Sequence, residues 1–496
     1  MLRRLLAGAA LLAASQRAIA QVPESEYAAR RDSVVTRLGD GIVLALGARE
    51  PEEDYLTFVQ APRFYYLTGF REPDATLVIV RRGGATTSTM FVNPRDPARE
   101  TWTGTRWGTD GVTQRTGMIA RPNSELAPAL DSLLRGGRKL YVIGVLNTGS
   151  VRTADDQYVD QLRAGHPKVV VEIANGLIDR MRSRHSPAEL ALLRKAIDIT
   201  VMAQREAMRT VRPGLNEFEV QALLEYTFRR NGADRPAFAT IVGSGPNSLA
   251  LHYNADDRFM SAGEVVVMDI GASYRGYAAD VTRTIPVSGT FSPEQRALYQ
   301  VVRDAQAAAE RQARLGGTAQ AMEDSANAAL TAGLARLGLI ESENAVFDPG
   351  RAGCRRRLAN GCSQLSLYYP HGLGHGIGLE VHDPNPWLYQ PGTIVPGSAF
   401  TIEPGLYINA TTLDNLPDTP RNRAMLGALR ATVERFKDTG VRIEDNYFAT
   451  EQGVEWISRA PRELDEVEAA MKERSADLAK RDSAVVDWYR ATADPR

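Results

Sequence analysis

The sequence of 496 residues predicts an α+β protein of two domains, followed by a short charged segment. Three observations favour this fold class. The chain is longer than one domain usually is. Hydrophobic residues make up 43% and charged residues 24%, which is typical of a globular protein with an ample core. Helical patterns and mostly antiparallel strand patterns are mixed in the second half, as in α+β domains. The net charge of −1 does not favour a nucleic-acid or membrane-surface partner.

Residues 1–20 have the organisation of a secretory signal peptide. Arg3 and Arg4 form a basic start, an apolar run follows, and Ala18 and Ala20 are the small residues of a cleavage site. The apolar run is too short to cross a bilayer, and no later segment is long and apolar enough to do so. We therefore expect cleavage after Ala20 and secretion, to the periplasm in a Gram-negative bacterium. A buried N-terminal helix is the alternative.

The first domain is predicted to span residues 22–180, as a smaller α/β domain with no catalytic cluster. Its apolar runs indicate strands, its amphipathic stretch indicates a helix, and an aromatic segment is bounded by turns. We interpret it as a scaffold or capping domain. The strands are expected at 41–47, 75–80 and 139–145, the helix at 124–134 and the turn-bounded aromatic segment at 64–73.

The second domain is predicted to span residues 181–461. Ser186 and Glu189 form a capping box with Pro187 at the first helical position, so a long helix is expected to run to about Arg209. Further elements follow from periodicity. These are helices at 216–230, 292–314 and 319–337, strands at 237–242, 398–408 and 440–449, and a strand pair at 264–286. Residues 462–496 are expected to form a charged helix on the surface, without a chemical role.

Cys354 and Cys362, eight positions apart, are the two cysteines of the chain. In an oxidising compartment they would close a small loop as a disulfide. Two free thiols remain the alternative. A zinc site is not favoured, because no other ligand lies near them in the sequence.

Acidic residues interrupt several apolar runs of the second domain. Asp269, Asp280, Glu403 and Glu444 each have apolar neighbours, and a lone buried carboxylate is costly without a partner or a metal ion. His375 lies in the segment 371–382, which holds three of the six histidines of the chain. Four glycines alternate with other residues there, so the segment is predicted to form turn and strand, with its backbone close to a small group. The glycines are Gly372, Gly374, Gly376 and Gly378.

The spacing of Asp269 and Asp280 predicts a β-hairpin. A loop at 273–276 would place the two carboxylates directly opposite each other, where like charges are destabilising unless a cation lies between them. The alternative, two solvated aspartates, is weakened by their apolar neighbours. Arg442 and Glu444 share a strand face by alternation, and a surface ion pair is the alternative for them.

Four carboxylates and one imidazole suit two hard-to-borderline divalent ions. The oxygen-rich set favours Mn²⁺, with Co²⁺, Fe²⁺ or Zn²⁺ also accommodated. Two such ions, roughly 3.5–4 Å apart, activate a water and stabilise an oxyanion.

This constellation resembles the pita-bread metallopeptidase family M24, and within it the Xaa-Pro aminopeptidase (aminopeptidase P) branch, M24B. The resemblance covers roughly residues 24–453 and implies a pita-bread catalytic domain preceded by a creatinase-like N-terminal domain. It rests on residues 66–75, 251–253, 371–375, 381–383, 402–405 and 441–445, together with the order of the five ligands.

The resemblance also implies roles for the metal ligands. Asp269 would bind one ion, and Asp280 and Glu444 would bridge both. His375 and Glu403 would complete the shell of the second ion.

Four further residues would act on the substrate beside Glu403, which would serve as general base and then general acid. His252 and His382 would contact substrate and stabilise the tetrahedral intermediate. His371 and Arg442 would line the pocket, with His371 counted among the catalytic residues.

The implied activity is hydrolysis of the N-terminal Xaa-Pro bond of proline-containing peptides by a homo-oligomer, a dimer or a tetramer. Three alternatives stay open: a prolidase limited to dipeptides, a creatinase-like hydrolase, and a non-catalytic binding protein on the same fold. The segments 350–366 and 412–437 look inserted and are expected to border the mouth of the active site. They leave the preferred peptide length open.

Overall fold

The computed structural model describes residues 21–53, 56–146, 149, 151–350, 354–389 and 392–473. The signal peptide predicted for residues 1–20 lies outside the described residues, as does the charged segment beyond residue 473. The chain divides into two compact units, Met1–Arg182 and Ser183–Arg496. Within the described residues, no helix combines the length and the hydropathy that crossing a membrane requires.

The N-terminal unit is a mixed six-stranded sheet with helices around it. The central strand, Gly41–Leu46, pairs antiparallel with Thr76–Arg82 and parallel with Leu140–Ile143. Its six residues are all buried, which explains the uninterrupted apolar run in the sequence. In spatial order the strands are Ile119–Pro122, Ala85–Val92, Thr76–Arg82, Gly41–Leu46, Leu140–Ile143 and Val171–Ile173. The helices are Glu24–Leu38, Pro62–Thr68, Pro97–Thr103, Gly108–Thr116, Leu126–Leu134, Ala154–Gly165 and Asn175–Arg182.

The C-terminal unit places helices over several short antiparallel sheets. The capping box at Ser186 begins its longest helix, as expected from the sequence. The helices are Pro187–Thr210, Glu217–Arg230, Pro293–Gln312, Ala319–Leu337, Pro386–Tyr389, Ala410–Asp414, Pro420–Phe436 and Leu464–Lys472. The strands are Arg235–Pro236, Ile241–Ser244, Val265–Ile270, Ala272–Tyr274, Tyr277–Ala278, Val281–Pro286, Val346–Phe347, Arg357–Leu358, Gly361–Ser363, Ala399–Ile402, Gly405–Ile408, Thr439–Arg442, Asp445–Thr450 and Gly453–Trp456.

Two strands predicted as continuous are broken, and in both cases a predicted metal ligand lies at the break. The run 398–408 is interrupted at Glu403 and Pro404, since proline cannot donate to a strand ladder. The run 440–449 is interrupted at Ile443 and Glu444. A break in the ladder frees a carboxylate to leave the plane of the sheet.

Buried glutamines from two long helices satisfy the carbonyl groups beside these irregular points. The side-chain amide of Gln306 donates to the carbonyls of Ile402 and Ile443, next to the two breaks. Gln204 donates in the same way to Met268 and Val281, on either side of the hairpin. Both glutamines are fully buried, where water cannot hydrogen-bond to the backbone carbonyls. Their side-chain amides therefore supply hydrogen bonds that these carbonyls would otherwise lack.

The turn-bounded aromatic segment, residues 64–73, begins within the short helix Pro62–Thr68. Pro62 at its first position starts the helix, and Gly69 ends it in the left-handed conformation. The aromatic side chains of Phe64 and Tyr66 are buried. Burial in the core therefore outweighs the modest helix propensity of the aromatic residues.

Candidate metal centre

The hairpin that carries the two aspartates has a different register from the predicted one. Arg275 and Gly276 form a two-residue turn with φ of 53° and 86°, so Ser273 pairs with Ala278. Asp269 consequently pairs with Thr282 and not with Asp280. The predicted pairing is wrong by two positions. A slip of two residues keeps every side chain on its face, so Asp280 still lies on the same side as Asp269.

His375 and Glu403 come together because the glycine-rich segment runs beside the strand Ala399–Ile402. The amide of Thr401 donates to the carbonyl of His375 at 2.9 Å, and that of Glu403 to Leu373 at 2.8 Å. The backbones approach so closely that a Cβ on Gly374 would lie 2.2 Å from the carbonyl oxygen of Thr401. The small group expected beside this segment is therefore the protein's own backbone.

Glu444 reaches the aspartates through contacts between its segment and the hairpin. Its amide donates to the carbonyl of Thr282 at 3.1 Å, and Thr282 donates its hydroxyl to the Glu444 carboxylate at 2.6 Å. Beneath them, the guanidinium of fully buried Arg283 donates to the carbonyls of Thr282 and Glu444 and pairs with Asp445. This buried cation anchors the backbone from which Glu444 projects.

The predicted site residues all line one cavity of about 500 Å³. The Nε2 atom of His375 lies 3.4 Å from a carboxylate oxygen of Asp280, 3.4 Å from one of Glu403 and 3.7 Å from one of Glu444. Asp280, His375 and Glu444 each offer a ligand atom within 4.8 Å of the others. The residues that meet in the cavity are Asp269, Asp280, His375, Glu403, Glu444, His252, His371, His382 and Arg442.

Three carboxylate oxygens of the cluster are buried without a hydrogen-bond partner among the described residues. They belong to Asp269 (Oδ1), Asp280 (Oδ1) and Glu444 (Oε1). Leaving such groups unsatisfied costs free energy, and a divalent cation with oxygen ligands satisfies them together. The donor set therefore fits a divalent metal site.

Burial and mutual repulsion raise the pKa of the clustered acids. Burial is the largest cause of the raised pKa of Asp280, with the charges of Glu444 and Asp269 next. The pKa of Glu444 is raised by burial and then by Glu403. Burial raises the pKa of Glu403 to about 8, although the Arg442 charge lowers it. A cation among these groups favours their charged forms and reverses the shifts.

His375 is held in the protonation state that a metal ligand needs. Its Nδ1 lies 3.1 Å from the carbonyl oxygen of Gly376. Since a carbonyl can only accept a hydrogen bond, Nδ1 carries the proton and donates it, and Nε2 faces the carboxylates with a free lone pair. Burial, and then the charge of His382, lowers its pKa to about 4. The imidazole is therefore neutral at physiological pH.

A hydrogen-bonded chain links the first aspartate to His371. Arg442 donates to Asp269 at 2.6 Å and to the Tyr407 hydroxyl at 2.7 Å, and that hydroxyl lies 2.9 Å from Nε2 of His371. Nδ1 of His371 faces the Gly372 carbonyl at 2.8 Å, so Nε2 accepts from Tyr407. Arg442 is buried, and its surface pairing with Glu444, the alternative from the sequence, is wrong.

Tyr407 is a site residue that the sequence interpretation missed. Alternation places it on the same strand face as Gly405, two residues after Glu403. A Cβ at Gly405 would lie 2.7 Å from its hydroxyl oxygen and 3.0 Å from Nε2 of His371. A tyrosine two residues after a glycine, next to a candidate ligand, was the available signal.

His252 and His382 also line the cavity. The rings of His382 and His375 are 4.1 Å apart between centroids. Burial, and then the charge of His252, lowers the pKa of His382. The two histidines are therefore neighbours at the cavity wall, available to donate hydrogen bonds to a bound molecule.

The two segments expected to border the cavity differ in their contributions. Arg355, in the first, is a lining residue, and the structure joins Cys354 and Cys362 on either side of it in a disulfide. No described residue of 412–437 lines the cavity, so that part of the expectation is wrong. The helix Pro420–Phe436 instead packs into the core through Met425 and Leu429.

The acidic cluster predicts that the metal-free protein loses stability as pH rises from 6.5 to 8. The raised pKa of Glu403, Asp280 and Glu444 means that the fold binds protons there that the unfolded chain releases at lower pH. His371 and His375, whose pKa values are lowered, have a smaller effect of opposite sign, because in the unfolded chain they have the ordinary pKa of 6.5 and are already half neutral at pH 6.5.

We therefore expect the melting temperature of protein stripped with EDTA to fall by about 2 °C or more over this interval. Protein loaded with Mn²⁺ should change much less, so the difference between the two forms should widen. Differential scanning fluorimetry at fixed ionic strength measures both. Parallel pH curves for the two forms would contradict the assignment of the cluster as a metal site.

Comparison with known proteins gives one consistent result. Residues 191–451 match the metallopeptidase family M24, and residues 27–142 match the aminopeptidase P N-terminal domain. A Xaa-Pro aminopeptidase of Haemophilus influenzae is 30% identical, with 91% of this chain and 98% of the relative covered. One of Escherichia coli is 30% identical, with 91% and 99% covered. The structure of E. coli aminopeptidase P with the inhibitor Pro-Leu superimposes with a TM-score of 0.76 at 30% identity, covering 91% of this chain and 99% of that one.

Proposed function

The chain belongs to metallopeptidase family M24, and we propose that it is a metal-dependent exopeptidase that hydrolyses the bond between an N-terminal residue and a following proline. One observation carries the proposal. Buried carboxylates and a neutral imidazole converge on one cavity, in a chain that is similar over 91% of its length to Xaa-Pro aminopeptidases. The same likeness does not favour a prolidase. A non-catalytic binding protein would have no reason to keep so costly a cluster.

The metal ligands in this proposal are those expected from the sequence. Asp269, Asp280, Glu444, His375 and Glu403 would hold the two divalent ions. Four carboxylates with one imidazole form an oxygen-rich set that favours Mn²⁺ and accommodates Co²⁺, Fe²⁺ or Zn²⁺. When bound, the ions would supply the Lewis acidity that makes water nucleophilic near neutral pH and stabilises an oxyanion.

Glu403 is the proposed proton carrier. It takes a proton from the attacking water and passes it to the departing proline nitrogen. Thr401 donates its hydroxyl to one Glu403 oxygen at 3.4 Å, and Nδ1 of His371 lies 3.8 Å from the other. These contacts orient the carboxylate.

The remaining polar residues of the cavity hold the substrate. His252 and His382 donate to the carbonyl groups beside the scissile bond and stabilise the tetrahedral intermediate. Arg442 and Tyr407 hold the His371 ring through the Tyr407 hydroxyl, so that His371 faces the proline of the substrate. The bond before proline lacks an N–H, so the site needs no acceptor for one, and apolar walls such as Phe238 and Leu251 suit the ring.

Export and assembly also belong to the proposal. A cleaved signal peptide, residues 1–20, would deliver the protein to the periplasm of a Gram-negative cell. The Cys354–Cys362 disulfide supports an oxidising compartment. The homo-oligomer of two or four copies expected from the resemblance stays a prediction.

A panel of four peptides tests the activity: Ala-Pro, Ala-Pro-Ala, Ala-Pro-Ala-Ala and the proline-free Ala-Ala-Ala-Ala. In Mn²⁺ we expect release of the first alanine from the two longer proline peptides, and none from the proline-free control. EDTA should abolish release, because the carboxylates then lose the cations that organise them. Quantitative detection of free alanine measures each rate.

The alternatives predict different results in the same assay. Cleavage of Ala-Pro alone would identify a prolidase. Equal cleavage of the proline-free peptide would identify a general aminopeptidase. If no peptide releases alanine in a metal-dependent way, the hypothesis of a non-catalytic binding protein remains.

A further inference from the structure

Arg355 is a cation of the cavity that neither the metal centre nor the proposed proton transfer uses. It lies between the two cysteines of the inserted segment, and its guanidinium packs on the glycine-rich loop. A Cβ on Gly372 would lie 3.0 Å from its Nη2 atom. The side chain is exposed to the solvent of the cavity.

The backbone around Arg355 is anchored on both sides. The preceding residue, Cys354, is joined to fully buried Cys362. The following residue, Arg356, stacks on the ring of Tyr369 at 4.2 Å and donates to its carbonyl and to that of His371. Arg355 therefore projects from a fixed base at the edge of the cavity.

Arg355 has no acidic partner among the residues that the structure describes. The other arginine of the lining, Arg442, is occupied by Asp269 and Tyr407. Arg356 makes only a distant ion pair, 4.0 Å from Glu323. A guanidinium in a substrate cavity without a carboxylate partner is suited to bind one from the ligand, since its planar fork matches that group.

The position of Arg355 indicates which end of a peptide it meets. His371 lies 3.8 Å from Glu403, and Gly372, on which Arg355 packs, is the next residue. Under the proposed function, on which this step rests, Glu403 protonates the departing nitrogen. The residues beside it consequently face the peptide that follows the scissile bond.

We propose that Arg355 is a specificity-determining residue that binds a carboxylate on the C-terminal side of the scissile bond. Two sources share this chemistry: the α-carboxylate of a short peptide and an acidic side chain after the proline. The enzyme thus prefers peptides that carry a negative charge there.

Three substrates distinguish the sources: Ala-Pro-Ala, its C-terminal amide, and Ala-Pro-Asp-amide. Arg355→Gln removes the charge and keeps a polar side chain, Arg355→Lys restores a charge, and Arg357→Gln is the matched control. Arg357 is exposed two residues further along the chain, in the strand Arg357–Leu358, and does not line the cavity. The Mn²⁺-loaded protein is used throughout.

We expect kcat/KM of the wild type and of Arg357→Gln to be about tenfold higher for a charged substrate than for Ala-Pro-Ala-amide. The difference should arise from a lower KM for the charged substrate. Arg355→Gln should reduce this ratio to near one, and Arg355→Lys should restore part of it. A preference lost only for Ala-Pro-Ala identifies the α-carboxylate. One lost only for Ala-Pro-Asp-amide identifies the side chain.

Calorimetric titration with Pro-Leu and Pro-Leu-amide gives a readout that is independent of turnover. The acid should bind more tightly than the amide to the wild type and equally to Arg355→Gln. A preference that persists in Arg355→Gln, or is absent from the wild type, would overturn the proposal. Hydrolysis of the amide peptide tests the proposed function separately, because that substrate offers Arg355 no carboxylate.

Discussion

Glu403→Gln should lower kcat on Ala-Pro-Ala by about 10²–10⁴-fold, the range that positioned proton transfer contributes. Glutamine has nearly the same shape and keeps an oxygen that Thr401 can reach. It cannot accept a proton from the attacking water or deliver one to the proline nitrogen. Steady-state kinetics in saturating Mn²⁺ measure the loss, and KM should change far less than kcat because the residue acts on the reacting atoms.

Two measurements show whether the loss of turnover comes from lost proton transfer or from a general effect of the substitution or loss of metal. Glu451→Gln, the same change at an exposed turn, should have wild-type kinetics and stability. Metal content by mass spectrometry of purified Glu403→Gln shows whether the ions are still bound. Near-normal turnover in the Glu403 variant would refute its role, whatever the metal content.

The ligand set was predictable because each acid interrupts an apolar run. Burial of Asp269, Asp280 and Glu444 follows from their neighbours, and buried carboxylates need a common partner. The exact pairing of the strands was not predictable to the residue, since the turn at Arg275 and Gly276 is one of several that the sequence permits. The error did little harm, because a hairpin slip of two positions preserves the face.

Site residues whose roles depend on contacts between distant segments could not be predicted from the sequence. Tyr407 belongs to the site because the segments 405–408 and 439–442 pair, which places its hydroxyl beside Arg442. Arg283 anchors Glu444 across 161 positions of sequence. Neither contact leaves a local pattern, so periodicity and capping rules have nothing to detect. The breaks at Glu403 and Glu444 were hidden for the same reason.

The helices were the easier part of the fold. Ser186, Asn216 and Ser292 each begin a helix with a capping box, and Gly338 ends one in the left-handed conformation. These signals lie within four residues of the boundary that they set. The helix Ala319–Leu337 has the predicted bounds. Local chemistry decides helix ends, whereas the geometry of this site is decided by strands far apart in sequence.

Asp280→Asn should separate stability from activity. Asp280 is buried, one of its oxygens has no partner among the described residues, and burial and neighbouring acids raise its pKa. The amide removes one charge from a cluster whose like charges repel, and its N–H groups can donate to the neighbouring carboxylates. We therefore expect metal-free Asp280→Asn to melt about 2 °C or more above the metal-free wild type at pH 8.

The same change should lower kcat/KM on the order of 10³-fold, because one of the carboxylates that would hold the metal ions is lost and the ions then bind weakly. Mn²⁺ should then raise the melting temperature of the variant much less than that of the wild type. Asp304→Asn, on the exposed face of the helix Pro293–Gln312, is the matched control and should behave as wild type.

A metal-free Asp280→Asn variant that melts below the metal-free wild type would show that Asp280 stabilises the fold through contacts other than a cation. Full Mn²⁺ binding with normal turnover would remove Asp280 from the ligand set. Higher stability of the metal-free variant together with lost activity is expected only if Asp280 binds a metal ion and destabilises the fold when that ion is absent.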